Sequence, residues 1–530
     1  MKFEKKKLIE YLAFATFLFS VLFTLYMIIF VERGYYHADC TDSLMWAEAS
    51  FDTKALVNPD FNYAGLMPIA GNVIMWPLVA IFGVGMKAQI IGLVIFFILF
   101  VLAIISACEQ LKFKNSNTMF AIAIALFLLS SSEKLREIFW GHIIYYSFGP
   151  LMFFAVFAAG IKLYHKLQES MKIKPLIPMG IVLFILSFIC GINGTQIACL
   201  SSVPIAVALV AYLFFKRRKL FDKNNLSIYI PFVISAVGTL VGMLFIKVVA
   251  RGVTAAYADA YSGFGDMDNW MSALIMIPSS LFELMGIKVN SSIELFSFSG
   301  IIILIKVVAV LVLFVTPIVM LFKYRKIKRV EHKIFLLAHH FTALVILIGW
   351  VFGKLSSAEW RLSPLIVSAS ICCAIYASQF IEVKASKRMA LIIAVPLLLM
   401  SFITVVQVMA MNKQSVENKS FEKVVKHLEE KNLKYGYGSF WNANVLTMIS
   451  DSKVKVRDVK FDSGKMMPND YQTNKNWYKN APKLNEYFVL MTSNEYSQYY
   501  EGQNSSSFGK PKEIYNFDNY VILIYDHNLF

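Results

Sequence analysis

The sequence predicts a polytopic α-helical membrane protein, with about 11 transmembrane helices, that carries a small C-terminal α/β domain. Three observations predict it. The 530 residues are 57% hydrophobic and only 16% charged, where a soluble globular chain is nearer 45–50% and about 25%. Apolar runs long enough to cross a bilayer, roughly 20 residues each, recur as far as residue 410. Beyond that point the pattern changes to short alternating segments rich in Tyr, Asn and Trp. The mean hydropathy is +0.58.

The spans predicted from these runs are 8–31, 86–107, 118–132, 143–165, 176–192, 195–216, 228–250, 298–322, 334–352, 362–382 and 389–410. The first is longer than the 7–15-residue core of a signal peptide and runs on into ERGYYH, so it reads as a retained helix. One further apolar stretch, LMPIAGNVIMWPLVAIFG (Leu66–Gly83), holds two prolines, two glycines and an asparagine. Charge decides its place. With eleven spans and the N-terminus inside, the inner segments MKFEKKK, EQLKFKNSN, KLYHKLQESMKIK, KRRKLFDKNN, KYRKIKRVEHK and EVKASKR hold 24 Lys and Arg, and the outer loops nine. A twelfth span at Leu66–Gly83 would reverse that bias, so the segment is expected to be a surface or re-entrant helix. The same asymmetry accounts for the formal net charge of +16 through the cytoplasmic leaflet and excludes a nucleic-acid partner. The expectation is a multi-pass plasma-membrane protein with a cytoplasmic N-terminus.

Residues 1–411 then form the transmembrane domain, with long external loops at 32–85 and 251–297. Residues 412–530 form an extracytoplasmic α/β domain. There FEKVVKHLEEKN reads as an amphipathic helix, and LKYGYGSFW and KVKVRDVKF as strands around a NANVLTMIS helix. EYFVLMT is a further strand, and KEIYNFDNYVILIYD a hairpin. GQNSSSFG reads as a surface loop. The six cysteines show no paired framework, and none lies in this last region.

The outer face carries the chemistry-bearing residues. HADCTDSLMWAEA, directly after the first span, places Asp39, Asp42 and Glu48 at a membrane exit. EKLREIFWGHIIYYSFGP joins the third and fourth spans. This layout resembles the GT-C superfamily, integral-membrane glycosyltransferases that use polyprenyl-phosphate-linked sugars, in the manner of protein mannosyltransferases and aminoarabinose transferases. The resemblance implies an acid after the first span, a juxtamembrane segment at Leu66–Gly83 and a C-terminal external domain. It further implies a hexosyl- or pentosyltransferase working on the outer face. A sugar on a polyprenyl phosphate would pass, with inversion, to a glycan, lipid or protein acceptor, the lipid tail lying in the membrane between spans.

Transfer from a lipid phosphate needs a base for the acceptor hydroxyl and positive charge for the departing phosphate. Asp39 and Asp42, three apart, share one face of a helical turn and are the catalytic candidates. By resemblance Asp39 is preferred. The structural alternative makes Asp42 a helix cap and pairs Asp39 with Arg33. Glu48 reads as a solvated residue. For the phosphate the candidates are Lys134, Arg136, Arg251, and Lys354 and Arg361 in GKLSSAEWR, with Arg136 and Arg361 ranked first and His142 to orient an acid or a phosphate. The alternative for each cation is interfacial anchoring. The aspartate pair suits a divalent cation, spacing alone leaves the need for one undecided, and no nucleotide or zinc motif is present.

His339 and His340 inside a span suit interhelical hydrogen bonding, Lys247 and Lys306 suit snorkelling, and Asn193 and Gln196 suit the outer ends of the fifth and sixth spans. Two other classes fit a polytopic chain: a lipid-linked glycan transporter or flippase, and a non-catalytic envelope assembly protein. A transporter calls for charged or broken helices near the midplane, whereas the carboxylates here cluster outside.

Overall fold

The computed structural model describes residues 2–142, 147–170, 172–215, 225–253, 255, 260–289, 292–381, 387–462, 465–501 and 509–530. The expectations for KRRKLFDKN, for the EVKAS of EVKASKR and for GQNSSSF fall outside these residues.

Among the described residues, ten helices are long and apolar enough to cross a membrane. They include Lys7–Gly34, Met86–Gln110, Phe148–Glu169, Lys174–Ile192, Leu226–Val249, Phe298–Phe322 and Arg388–Met409. The chain is a multi-pass helical membrane protein. The run expected at 118–132 differs. It is a helix over Asn115–Leu128 that bends by 114° into Glu133–Gly141. The serines of LSSSEK explain the break. Ser130 and Ser131 turn their hydroxyls onto the Leu126 and Leu128 carbonyls, and Ser132 accepts the Leu135 amide and starts the next helix. Side-chain bonds of this kind compete with a continuing helix.

The Leu66–Gly83 segment contains one helix, Asn72–Phe82, of 11 residues. At 1.5 Å per residue it reaches about 16 Å, half of a hydrocarbon core of about 30 Å. It therefore does not span. Asn193, after the helix Ile173–Ile192, accepts the Ile69 and Ala70 amides at 3.0 Å each and ties the segment to the bundle.

The C-terminal region follows its sequence pattern closely. Helix Val416–Glu430 is capped by Ser415. Six strands follow: β2 (Tyr435–Gly438), β3 (Lys455–Asp462), β4 (Lys465–Pro468), β6 (Tyr487–Thr492), β7 (Glu513–Phe517) and β8 (Tyr520–Tyr525), in the sheet order β4-β3-β2-β6-β8-β7. The β2 pairings are parallel and the outer ones antiparallel. Gly436 in β2 has to be glycine, because a Cβ there would lie 2.5 Å from the Phe488 ring.

Sequence patterning did not reveal how this sheet domain joins the first loop, 32–85. The loop strand β1 (Phe61–Asn62) pairs antiparallel with β5 (Thr473–Asn474) of the domain. Gly34 O accepts the Ser415 amide at 2.9 Å, and the Tyr36 carbonyl accepts Asn418 Nδ2 at 2.7 Å. Asp451 Oδ1 accepts the Met86 amide at 2.9 Å. The loop and the domain form one packed unit.

Candidate active site

The site forms where the first span ends. A π turn, Met27–Val31, and a short turn, Glu32–Gly34, carry the chain out of the bundle. His37 is extended, and Ala38–Thr41 makes one tight turn, closed by the Cys40 amide on the His37 carbonyl at 3.0 Å. In such a turn residues three apart eclipse, so H-A-D-C presents His37 and Cys40 to the same side. A second π turn, Glu137–Gly141, arrives from the bent third span and ends at His142. Single π turns inside helices recur at functional sites.

These two turns meet. Glu137 Oε1 lies 3.3 Å from His37 Nε2 and 3.5 Å from His142 Nε2, while its Oε2 takes Lys134 Nζ at 2.5 Å. One ligand atom each from His37, Cys40 and His142 falls within 4.8 Å of the others. Burial raises the Cys40 thiol, but the two imidazoles beside it bring it down to about 6. Burial lowers both histidines, yet Cys40 and Glu137 more than reverse that and raise them. His37 Nδ1 is buried with no hydrogen-bond partner. Two imidazoles and a thiolate-prone cysteine make a donor set of the kind that holds zinc and related ions, and the orphaned ring nitrogen fits a ligand role. This set contains neither aspartate.

A cleft with an empty volume of about 360 Å³ opens here, lined by Glu32, Tyr35, His37, Cys40, Arg136 and Glu137 among others. Arg136 is buried, with Nε 3.1 Å from Glu32 Oε1 and Nη1 3.3 Å from the Ser130 carbonyl. It contacts neither expected aspartate; its carboxylate is Glu32, which the sequence reading had passed over.

The aspartates lie in the turn behind. Asp39 is half-buried and Asp42 fully buried. Asp42 does not cap. The N-cap of helix Asp42–Thr53 is Thr41, without a side-chain cap bond, and Asp42 Oδ1 has no partner. Burial first, then Asp39, push its carboxyl well above the carboxylate range; His142 and Gln472 oppose them. Among the described residues Asp39 makes no ion pair with Arg33. Glu48 is not solvated as expected: it pairs with Arg457 of the C-terminal domain at 3.3 Å, because the domain covers this face of the helix.

The remaining cations are placed differently. Arg361 is buried in its own loop, its Nη1 on the Lys354 carbonyl at 2.8 Å and Ser357 Oγ at 3.0 Å, with its guanidinium 4.0 Å over Tyr261. It does not line the cleft. Lys134 Nζ sits 4.7 Å over Trp360, which joins that loop to the Glu137 turn. Arg251 is exposed after helix Leu226–Val249. Lys306 does not snorkel: it is buried and donates to the Gly286 carbonyl at 3.3 Å. His339 Nδ1 meets Ser368 Oγ on another helix at 2.8 Å, while His340 bonds within its own helix.

A helical bundle, a bent turn after the third span, an acidic loop after the first span and a sheet domain seated on that loop make up one fold. Solved structures share it. ArnT from Cupriavidus metallidurans bound to undecaprenyl phosphate is 10% identical, with 97% of each chain covered and a TM-score of 0.56. The same protein in the apo state gives 11%, 97% of each chain and 0.56. The apo oligosaccharyltransferase of Archaeoglobus fulgidus is 10% identical, with 94% of this chain and 72% of that one covered and a TM-score of 0.52. At such identities the likeness is one of fold. No protein-family model and no curated protein matches the sequence.

Proposed function

We propose that this chain is a membrane glycosyltransferase that moves a sugar from a polyprenyl-phosphate donor to an envelope glycan, lipid or protein on the outer face of the plasma membrane. The observation that carries the reading is the cleft lined by Glu32, His37, Cys40, Arg136 and Glu137, with Lys134 and His142 held beside it by Glu137 and the rest of the HADCTD turn behind it. The fold supports it, since ArnT, which shares that fold, is bound to undecaprenyl phosphate. The C-terminal domain would stand on the acceptor side, outside the cell.

Arg136 and Lys134 bring positive charge to the departing phosphate, the guanidinium as a planar fork and the ammonium as a point charge. Glu32 and Glu137 hold both in place through their ion pairs. Asp39, the less buried acid, takes the proton from the acceptor hydroxyl, and a single displacement inverts the sugar. Asp42, buried beside it, sets the field of the turn together with His142. His37, Cys40 and His142 would hold a divalent cation, which would supply Lewis-acid charge to a phosphate. Arg251 and Arg361 serve the external loops as anchors. The test is sugar transfer by the purified protein in lipid, with polyprenyl-phosphate sugars from host membranes as donor, alongside mass spectrometry of envelope glycans in a deletion strain. An unchanged glycan profile and no transfer would overturn the reading.

A further inference from the structure

Gln472 stands between β4 and β5 of the C-terminal domain, yet its side chain is buried at the exit of the first span. Its backbone is left-handed, with φ 54°. Three bonds fix its place. Its amide donates to the Asn62 carbonyl at 2.8 Å, its carbonyl accepts Asn444 Nδ2 at 3.5 Å, and its Oε1 accepts Trp46 Nε1 at 2.7 Å. An indole N–H only donates, so the Trp46 bond decides which end of the amide is which. Oε1 faces the ring, and Nε2 is turned the other way.

Asp42 stands four residues before Trp46 in helix Asp42–Thr53, so the two side chains share a face of the helix. Gln472 Nε2 and Asp42 Oδ1 are both buried, and neither has a hydrogen-bond partner. One is a donor and the other an acceptor. Leaving two such atoms unpaired in a dry interface is costly, and each is the partner the other lacks.

We propose that Gln472 is a positioning residue for the acidic loop: its amide, oriented by Trp46, holds the carboxyl of Asp42, so the site is complete only with the C-terminal domain seated on the first loop. The inference rests on the reading that places the HADCTD turn at the centre of transfer. It gives the domain a role beyond roofing the acceptor side. An acidic turn formed by residues 39–42 receives its orienting group from more than 400 residues further along.

Gln472→Glu tests it, because a carboxylate keeps the acceptor for Trp46 and removes the donor to Asp42. The expected result, with the full-length protein in lipid and a polyprenyl-phosphate-sugar extract of host membranes as donor, is a fall in kcat of about 10-fold or more with KM little changed. Trp46→Phe, which loses the indole bond and keeps the donor, should lower kcat less. A purely structural role reverses that order and would overturn the proposal. The contact itself is read by thermal stability. Gln472→Glu should lower Tm, because a second buried acid replaces the donor that faces Asp42, and adding Asp42→Asn should restore it, because the new amide donates to the new carboxylate. Additive Tm changes would show no contact and overturn the proposal. A restored Tm with full turnover in Asp42→Asn alone would instead contradict the functional reading of the loop, leaving the contact in place. Should Gln472→Glu fail to insert, Gln472→Met, which removes both the donor and the Trp46 acceptor without adding charge, should lower kcat more than Trp46→Phe, which removes the indole bond alone; an equal or smaller loss would overturn the proposal.

Discussion

Glu48, in the loop after the first span, and Arg457, in the C-terminal domain, are 409 residues apart in the chain and 3.3 Å apart in space. Both side chains are largely buried, at 13% and 5% exposure. The guanidinium also lies 4.0 Å over the Trp477 ring. Removing one partner of such a pair leaves a charge stranded in a dry interface, which typically costs about 3–5 kcal/mol. Arg457→Met should therefore loosen the domain from the loop, seen as a drop in Tm and faster proteolysis after residue 411. Glu48→Gln should be milder, because its amide still hydrogen-bonds. If Arg457→Met melts and digests as the parent does, the interface is not held by this pair.

The His37–Cys40–His142 cluster predicts a bound transition-metal ion. Elemental analysis of protein purified without chelator should find about one equivalent of a zinc-like ion per chain. Cys40→Ser and His142→Ala should each lose most of it, whereas Asp39→Asn should retain it. A metal-free parent protein, or loss in Asp39→Asn alone, contradicts this assignment.

Arg136 predicts a difference between fork and point charge. Arg136→Lys keeps the charge beside Glu32 but loses the planar donor pair. Transfer should fall about 10-fold or more, chiefly through a weaker hold on the phosphate. Arg361→Lys should change transfer far less, because Arg361 is fastened to Lys354, Ser357 and Tyr261 outside the cleft. Equal effects at the two positions would remove Arg136 from the phosphate.

Topology can be read with single cysteines at exposed positions. Thr53→Cys and Lys419→Cys should react with an impermeant maleimide in intact cells, and Lys114→Cys should react only after lysis. Labelling of position 114 in intact cells, or protection of position 419, would invert the proposed orientation.

Much of the fold was legible because hydropathy period and length are local properties. The spans 298–322, 228–250 and 389–410 came within two residues of the helices observed, and the strands EYFVLMT and YVILIYD stand where alternation put them. The third span was expected to run on to 132, but its end is set by Ser130 and Ser131, whose hydroxyls turn back onto the helix, and by Ser132, which accepts the Leu135 amide and starts the next helix, a signal weaker than the apolar run before it. The site was legible only in part. Asp39, Asp42 and Arg136 were named from their place in outer loops, but the partners Glu32 and Glu137 look like ordinary interfacial acids in sequence. The His37–x–x–Cys40 spacing was visible and was passed over in favour of the acids. Gln472 and Arg457 gave no signal, since their roles depend on contacts across more than 400 residues.

The central claim is that the acidic turn after the first span performs transfer, and Asp39→Asn tests it most directly. The change keeps size and most hydrogen bonding and removes the base. Turnover is measured with purified protein in lipid, at matched expression and matched Tm, with polyprenyl-phosphate sugars as donor. The account predicts an intact fold and a loss of about 10²-fold or more in kcat. Near-normal turnover in Asp39→Asn, with the fold equally intact, would contradict it.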